Sequence, residues 1–318
     1  DSGTDQFLKE TDTAALLVLK DGKIVYENYW LTGGRDITWL SMSVSKSFVA
    51  TLVGIAVAEG RIQSITDPVT LYAPSLKGSA YDGVSIKDIL QMSSGAAWTE
   101  DYSDPNSDVM RFGQIFAVGG SLNEFLTTMK PDREPGTHYR YNSAETQVLG
   151  LLLTRATGQS VTQYMTEKLW HPMGAEQTGH WLVDSEGMEM VFGGLSITAR
   201  DYAKIGELYR NGGYFNGRQI VPAAWITASV TPDAPHLAPG LNPDFPFGYG
   251  YQWWVPESLE GEYSAIGVYN QFVYVNPARG LTIVKLSANS DYGTTDDESS
   301  WREMETLALF RAIGAAVE

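Results

Sequence analysis

The sequence predicts a mixed α/β (α+β) fold, in which an antiparallel sheet is flanked by helices and an all-helical lobe is inserted into the chain. Three observations support this prediction. Runs of β-branched and aromatic residues lie near the start of the chain and again after residue 249, while helix patterns fill the segment between about residues 63 and 191. The 318 residues are 43% hydrophobic and only 19% charged, which is enough apolar material for a large core.

The N-terminal part predicts a β-hairpin followed by a buried helix. Residues 14–19 and 24–30 are two β-rich runs around an Asp-Gly pair at 21–22, a dipeptide typical of the tight type I′ turn. Residues 44–59 are apolar on almost every side, and Gly60 suits the left-handed position just after a helix. We therefore expect this helix to lie in the core.

The rest of the chain predicts a helical stretch and then a return to strands. Helices are expected at 84–92, 123–129, 144–157, 161–170, 199–210 and 303–317, and strands at 249–255, 271–276 and 281–287. Strands from both ends of the chain thus enclose a helical insertion. This predicts a sheet domain of residues 1–62 and 192–318 and a helical domain of residues 63–191, with the active site between them.

The composition excludes several classes of partner and site. The formal charge of −16 repels phosphate backbones and anionic lipids, so neither nucleic acid nor a membrane is an expected partner. The absence of cysteine excludes disulfides, thiolate metal sites and cysteine nucleophiles. No apolar run is long enough to span a bilayer, and a start at Asp1 rather than Met is consistent with a removed leader. The compartment and the oligomeric state stay open.

Ser43 and Lys46 form the single S-x-x-K pattern of the sequence, at the start of the predicted buried helix. Residues three apart share a helix face, so the lysine amine can lie beside the serine hydroxyl. The N-terminus of a helix also favours the negative charge that develops when a serine attacks a carbonyl group. The alternative is that Ser43 caps the helix and Lys46 is a solvated residue of its first turn.

Tyr141 is the candidate general base, in a Tyr-Asn-Ser motif at 141–143 ahead of another predicted helix. A cationic lysine nearby would stabilise the phenolate and lower the pKa of the tyrosine from about 10, which would let it take the proton of Ser43. The alternative is a buried aromatic side chain whose hydroxyl is satisfied by a hydrogen bond.

Together these motifs resemble those of the serine β-lactamase and penicillin-recognising superfamily, on its class C, DD-peptidase and family-eight carboxylesterase side. The resemblance covers most of the chain and implies the β-lactamase/transpeptidase-like fold. Besides 43–46 and 141–143 in their usual order, it rests on IKDILQMSSG at 86–95, HPMG at 171–174 and GGLSITARD at 193–201. The stretches most similar to the nylon-oligomer (6-aminohexanoate-dimer) hydrolase and esterase branch are WTEDYSDP at 98–105 and GVYNQ at 267–271.

The resemblance implies a role for each candidate residue. Ser43 is the nucleophile that becomes acylated, Lys46 helps to deprotonate it, and Tyr141 returns the proton to the leaving group. Ser143 supports this proton network. The backbone N–H groups of Ser43 and Val268 form the oxyanion hole.

One departure from the family pattern concerns the substrate. Penicillin-directed members carry Lys-Thr-Gly or His-Thr-Gly on the strand beside the nucleophile, whereas this chain has Ser-Ala-Ile-Gly at 264–267. Without that cation a substrate carboxylate loses a charge-assisted hydrogen bond, so Ile266 is expected in an apolar wall. Tyr102 resembles a substrate-contacting tyrosine of the nylon-oligomer branch. The other candidates for the pocket lining are the aromatic residues Trp98, Tyr139, Tyr251, Trp253, Trp254 and Tyr269.

The predicted function is that of a serine hydrolase working through an acyl-serine intermediate, a carboxylesterase with activity on small amides or amide oligomers. No cofactor and no metal site are expected, because the four histidines include no i,i+4 pair and no HExxH motif. The expected partner is a small ester or amide substrate. Two alternatives stay open: a D-amino-acid peptidase or β-lactamase, and a non-catalytic binding protein of the same fold.

Overall fold

The computed structural model describes residues 2–243 and 245–317. Its strands are β1 Thr13–Lys20, β2 Lys23–Tyr29, β3 Trp39–Leu40, β4 His180–Trp181, β5 Leu195–Ile197, β6 Tyr214–Phe215, β7 Arg218–Gln219, β8 Gly248–Tyr249, β9 Trp254–Val255, β10 Tyr263–Gly267, β11 Gln271–Asn276 and β12 Leu281–Ser287. Its helices are α1 Ser2–Glu10, α2 Ser45–Ala58, α3 Ile86–Leu90, α4 Asp108–Gly113, α5 Ile115–Val118, α6 Leu122–Thr127, α7 Ser143–Thr157, α8 Val161–Met165, α9 Ala199–Arg210, α10 Ala223–Ser229, α11 Glu298–Trp301 and α12 Glu303–Ala316. A 3₁₀ turn, Met42–Val44, directly precedes α2. Within these two ranges no helix is long and apolar enough to cross a membrane.

The largest sheet of the described chain has seven strands in the order β2-β1-β12-β11-β10-β9-β8, and its neighbouring strands pair antiparallel. The early strand β1 pairs with the late strand β12, with Leu17 opposite Val284. Both ends of the chain therefore contribute to one sheet, as the sequence predicts. Two smaller sheets have the orders β3-β5-β4 and β6-β7.

Apolar side chains cover both faces of the seven-stranded sheet. Leu17 of β1 belongs to the larger core, together with Phe48 of α2. Its neighbour Leu16 points to the opposite face, where it shares a second core with Leu307 and Phe310 of α12. Each such side chain contributes about 1.5–3 kcal/mol by leaving water. Because both faces are buried, β1 is apolar from Ala14 to Leu19 instead of alternating with polar residues.

Most of the predicted elements are confirmed. The hairpin of β1 and β2 turns through Asp21 and Gly22, whose φ angles of 49° and 78° are those of a type I′ turn. Gly60 follows α2 with a φ of 71°, the left-handed conformation that glycine adopts without strain. The helices expected in the middle of the chain and at its end correspond to α3, α6, α7, α8, α9 and α12.

Two predicted elements differ from the structure. The strand expected at 249–255 is wrong as a single strand, because the chain turns at Gln252, which has a φ of 62°. The buried side-chain amide of Gln252 accepts a hydrogen bond from the hydroxyl of Thr146 and donates one to the carbonyl oxygen of Leu90. These contacts hold the turn between β8 and β9. The helix expected at 161–170 ends at Met165, after which the chain continues as a wider π-helical turn. Helices α1, α4, α5, α10 and α11 were not expected. The division into two domains at residues 62 and 192 stays a prediction.

Candidate active site

The 3₁₀ turn Met42–Val44 places Ser43 between β3 and α2. Met42 has a φ of 46°, a left-handed conformation that costs energy in a residue with a side chain. Ser45 anchors the start of α2 by donating a hydrogen bond to the carbonyl oxygen of Val191 at 2.7 Å. Ser43 therefore stands at the N-terminal end of a buried helix, where the helix dipole favours negative charge.

Strand β10 passes against this turn at Gly267. A Cβ atom on Gly267 would lie 2.7 Å from the carbonyl oxygen of Ser41 and 3.0 Å from the backbone nitrogen of Ser43. Both separations are shorter than ordinary van der Waals contact, so a larger residue would displace one of the two backbones. The absence of a side chain thus lets the end of β10 approach Ser43 closely.

Lys46 contacts Ser43 directly. Its Nζ donates hydrogen bonds to Ser43 Oγ and to the carbonyl oxygen of Phe192, both at 2.7 Å. The side chain is 2% exposed, so the alternative of a solvated lysine is wrong. Burial lowers the pKa of Lys46 to about 7, an effect that the charge of Glu100 partly offsets. At neutral pH a large fraction of this lysine is therefore a free amine, which can accept a proton.

Tyr141 reaches the same centre from the loop before α7. It lines the same pocket as Ser43, its ring centroid lies 5.2 Å from Lys46 Nζ, and its ring stacks on Trp254. Burial and the charge of Glu100 raise the pKa of Tyr141 well above 10. The predicted lowering of this pKa is wrong, because the phenol is itself buried away from water and the Glu100 carboxylate lies nearby.

Glu100 organises the site and was missed by the sequence analysis. Its carboxylate accepts hydrogen bonds from the indole N–H of Trp98 and from the hydroxyl of Tyr102, the latter at 2.6 Å. It also accepts hydrogen bonds from the backbone N–H of Ser143 at 3.0 Å and from its hydroxyl at 2.5 Å. One carboxylate thus ties together three predicted site residues. The available signal was its position between Trp98 and Tyr102 in the 98–105 stretch.

Ser43 lines a pocket of about 230 Å³. The predicted residues that share this pocket are Tyr102, Tyr139, Tyr141, Trp254, Ile266 and Val268. The pocket is also lined by residues that the sequence analysis did not single out, among them Glu100, Phe245, Tyr292, Trp301 and Glu303. None of the lining residues in the described ranges is lysine, arginine or histidine.

The structure does not bring every predicted residue into this pocket. Trp98 is 5% exposed and faces the core, with its indole N–H turned to the Glu100 carboxylate. Tyr269 is 41% exposed at the turn between β10 and β11, where its ring meets the edge of Tyr292. Tyr251 and Trp253 are buried in the larger core.

Val268 directly follows β10 in the pocket wall. Its backbone N–H makes no hydrogen bond to another residue of the described chain. The side chain of Gln271 holds the turn by donating from Nε2 to the carbonyl oxygens of Val268 and Tyr269, at 3.3 and 3.1 Å. The Val268 N–H is therefore available to a ligand in the pocket that Ser43 also lines.

Nearly the whole chain matches one protein family. A family model described as Beta-lactamase matches residues 4–308. The chain belongs to the beta-lactamase family. As a member of this family it is a serine hydrolase, and its antiparallel sheet with flanking helices is the fold that the sequence resemblance implies.

Relatives within the family span most of the chain. The 6-aminohexanoate-dimer hydrolase of Paenarthrobacter ureafaciens is 34% identical, over 98% of this chain and 81% of its own length. A Bacillus anthracis protein provisionally named a 6-aminohexanoate-dimer hydrolase superposes with a TM-score of 0.82 at 23% identity, over 97% of this chain and 81% of that one. A family VIII carboxylesterase superposes with a TM-score of 0.71 at 17% identity, over 92% and 90% of the two chains. These two structures support the predicted β-lactamase/transpeptidase-like fold.

Proposed function

We propose that this protein is a carboxylesterase that also hydrolyses small amides. The observation that carries the proposal is the 2.7 Å hydrogen bond from the buried amine of Lys46 to the hydroxyl of Ser43, at the wall of a pocket. A neutral amine in contact with a serine hydroxyl is a suitable base for nucleophilic catalysis. Relatives named as a 6-aminohexanoate-dimer hydrolase and a carboxylesterase support amide and ester substrates.

Acylation uses Lys46 as the base. Its amine takes the proton of Ser43 while Ser43 Oγ attacks the carbonyl carbon of the substrate. The N–H groups of Ser43 and Val268 stabilise the oxyanion that forms. When the bond to the leaving group breaks, the phenol of Tyr141 donates its proton to that group. The products of this step are an acyl-Ser43 ester, a Lys46 ammonium and a Tyr141 phenolate, so charge and protons balance.

Deacylation reverses these proton transfers. The Tyr141 phenolate takes a proton from a water molecule, and the resulting hydroxide attacks the acyl carbon. Ser43 Oγ then leaves and recovers its proton from the Lys46 ammonium, which restores the starting state. The raised pKa of Tyr141 makes its phenolate a strong base toward water, and it equally makes the phenol a weak acid toward the leaving group in acylation.

The charge of the pocket wall supports substrates without a carboxylate over β-lactams and peptides that end in a carboxylate. Ile266 lines the wall on the strand beside Ser43, and no cationic side chain from the described ranges lines the pocket with it. A buried carboxylate without such a partner loses a hydrogen bond and its ion pairing. β-Lactamase or D-amino-acid peptidase activity is therefore the competing outcome of the test.

The test compares four substrates at pH 8: p-nitrophenyl butyrate, butyryl-4-nitroanilide, a chromogenic cephalosporin and a D-alanyl-D-alanine peptide. We expect the highest kcat/KM for the ester, slower turnover of the anilide and little turnover of the other two. Mass spectrometry of the enzyme quenched during ester turnover should find the butyryl group on Ser43. Rapid turnover of the cephalosporin or the peptide with an inert ester would overturn the proposal.

The activity is expected to rise with pH through about pH 7. Because burial lowers the pKa of Lys46 to about 7, its amine changes from about one-tenth neutral at pH 6 to about nine-tenths neutral at pH 8. The measurement is kcat/KM for p-nitrophenyl butyrate between pH 5 and 9. Since the charge of Glu100 raises the pKa of Lys46, Glu100→Gln should move the midpoint to lower pH. A flat profile in the wild type would contradict the role of Lys46 as a neutral base.

Gly267→Ala is expected to lower kcat for p-nitrophenyl butyrate by about 10²-fold, because the new methyl group would push β10 away from Ser43 and misplace the oxyanion donors. Gly113→Ala is the matched control, since a Cβ at Gly113 meets no atom within 4 Å. Steady-state kinetics and the melting temperature of both variants check the prediction. An unchanged kcat in Gly267→Ala would show that the close approach of β10 is unimportant for the reaction.

A further inference from the structure

Glu303 is a buried carboxyl group in the pocket that the mechanism above does not use. It is the first residue of α12 and is 4% exposed, yet it lines the same pocket as Ser43. The hydroxyl of Tyr292 donates to its Oε1 at 3.1 Å, and no other hydrogen bond to this carboxyl group occurs between residues of the described chain. A buried carboxylate with one donor is poorly compensated for the loss of water.

The other carboxyl groups in the pocket wall do not share this property. Glu100 is satisfied by four donors. Asp101 accepts two hydrogen bonds from Ser103. Asp296 is exposed to water. Glu303 is therefore the buried carboxyl group of this wall that retains acceptor capacity for a ligand.

The rest of the wall favours a positive charge. Its aromatic side chains include Phe245, Trp254, Tyr292 and Trp301, and the faces of such rings attract cations. No lysine, arginine or histidine from residues 2–243 or 245–317 lines the pocket to neutralise the carboxylates. An anionic substrate would be repelled, whereas a cationic one would meet both a carboxylate and ring faces.

We propose that Glu303 binds a positively charged group of the substrate, so that the preferred esters and amides carry an ammonium group. This inference rests on the proposed hydrolase function and names its substrate class. Burial and the charge of Glu298 raise the pKa of Glu303 to about 8. A bound cation stabilises the carboxylate form of a group that is otherwise mostly protonated at neutral pH.

The experiment uses two pairs of esters that differ only in charge. In the first pair the charge is on the alcohol: butyrylcholine and 3,3-dimethylbutyl butyrate. In the second it is on the acid: the p-nitrophenyl esters of 4-(trimethylammonio)butanoate and 5,5-dimethylhexanoate. In each pair a quaternary nitrogen replaces a quaternary carbon, so shape is kept and the charge does not change with pH.

We expect the wild type to prefer the charged ester in at least one pair by about tenfold in kcat/KM. Glu303→Gln should bring this ratio close to one, and its amide oxygen can still accept the hydrogen bond from Tyr292. Glu305→Gln is the control, because it removes one negative charge from the same helix at an exposed position. A wild type without preference in either pair, or a preference that survives Glu303→Gln, would overturn the inference.

A binding measurement separates this inference from the proposed function. In Ser43→Ala, which cannot form an acyl-enzyme, calorimetry compares the affinities for butyrylcholine and 3,3-dimethylbutyl butyrate. Tighter binding of butyrylcholine that is lost in Ser43→Ala/Glu303→Gln supports the inference. If the wild type nevertheless hydrolyses neither ester, the proposed function fails and the inference stands. Hydrolysis without any preference in turnover or binding overturns the inference alone.

Discussion

Ser43→Ala is expected to lower kcat for p-nitrophenyl butyrate by about 10⁴-fold or more, because the variant has no oxygen to form the acyl-enzyme. The residual rate would come from the oxyanion donors and from substrate binding. The change removes one hydroxyl and leaves Lys46 with its second hydrogen bond, to the carbonyl oxygen of Phe192. The fold should therefore be retained, which circular dichroism and the melting temperature check.

Ser43→Cys is the informative companion to this variant. It keeps a nucleophilic atom at the same position, and we expect a thioester intermediate that mass spectrometry can detect at residue 43. If the Ser43→Ala variant kept more than about one-tenth of the wild-type kcat, another residue would be the nucleophile. The acylated peptide of the wild type would then identify that residue.

Lys46→Met is expected to lower kcat by about 10²–10⁴-fold, the range found for loss of a general base. Methionine matches the length of the lysine chain and suits an environment that leaves Lys46 only 2% exposed. The loss should therefore be one of chemistry and not of folding. The measurement is kcat together with the melting temperature of the variant.

Lys46→Arg distinguishes a base from a cation at this position. Arginine keeps the positive charge and cannot lose its proton at neutral pH, so it is expected to be as inactive as methionine. If Lys46→Arg retained activity while Lys46→Met did not, the lysine would act through its charge. The mechanism would then return to an ionised Tyr141, as the sequence analysis expected.

The fold could be predicted where local residues decide the structure. The Asp21-Gly22 pair adopts the positive φ angles that its own chemistry favours, so the first hairpin follows from neighbours in sequence. The break between β8 and β9 has a distant cause. The side-chain amide of Gln252 is hydrogen-bonded to Thr146 and to the carbonyl of Leu90, and both residues are far away along the chain. No pattern within 249–255 reveals those contacts.

In the candidate site, too, contacts between residues close in sequence could be predicted and contacts made by tertiary packing could not. Ser43 and Lys46 are three residues apart, so the contact between them follows from helix geometry. Glu100 has two partners nearby in sequence, Trp98 and Tyr102, but its contact with Ser143 comes from tertiary packing. Glu303 reaches the pocket only through tertiary packing. The predicted direction of the Tyr141 pKa is wrong for the same reason, since it depends first on how deeply Tyr141 itself is buried and then on the charge of Glu100.

The pairing of β1 with β12 has a consequence for how this protein is made. A ribosome releases β1 long before β12 exists, so the first hairpin waits with an unpaired edge while the middle of the chain emerges. Contacts of such long sequence separation form slowly. Strand β10, which lies against Ser43, also emerges late. Nascent chains therefore lack the contact between β10 and Ser43, and the candidate site is assembled only after synthesis of the late strands.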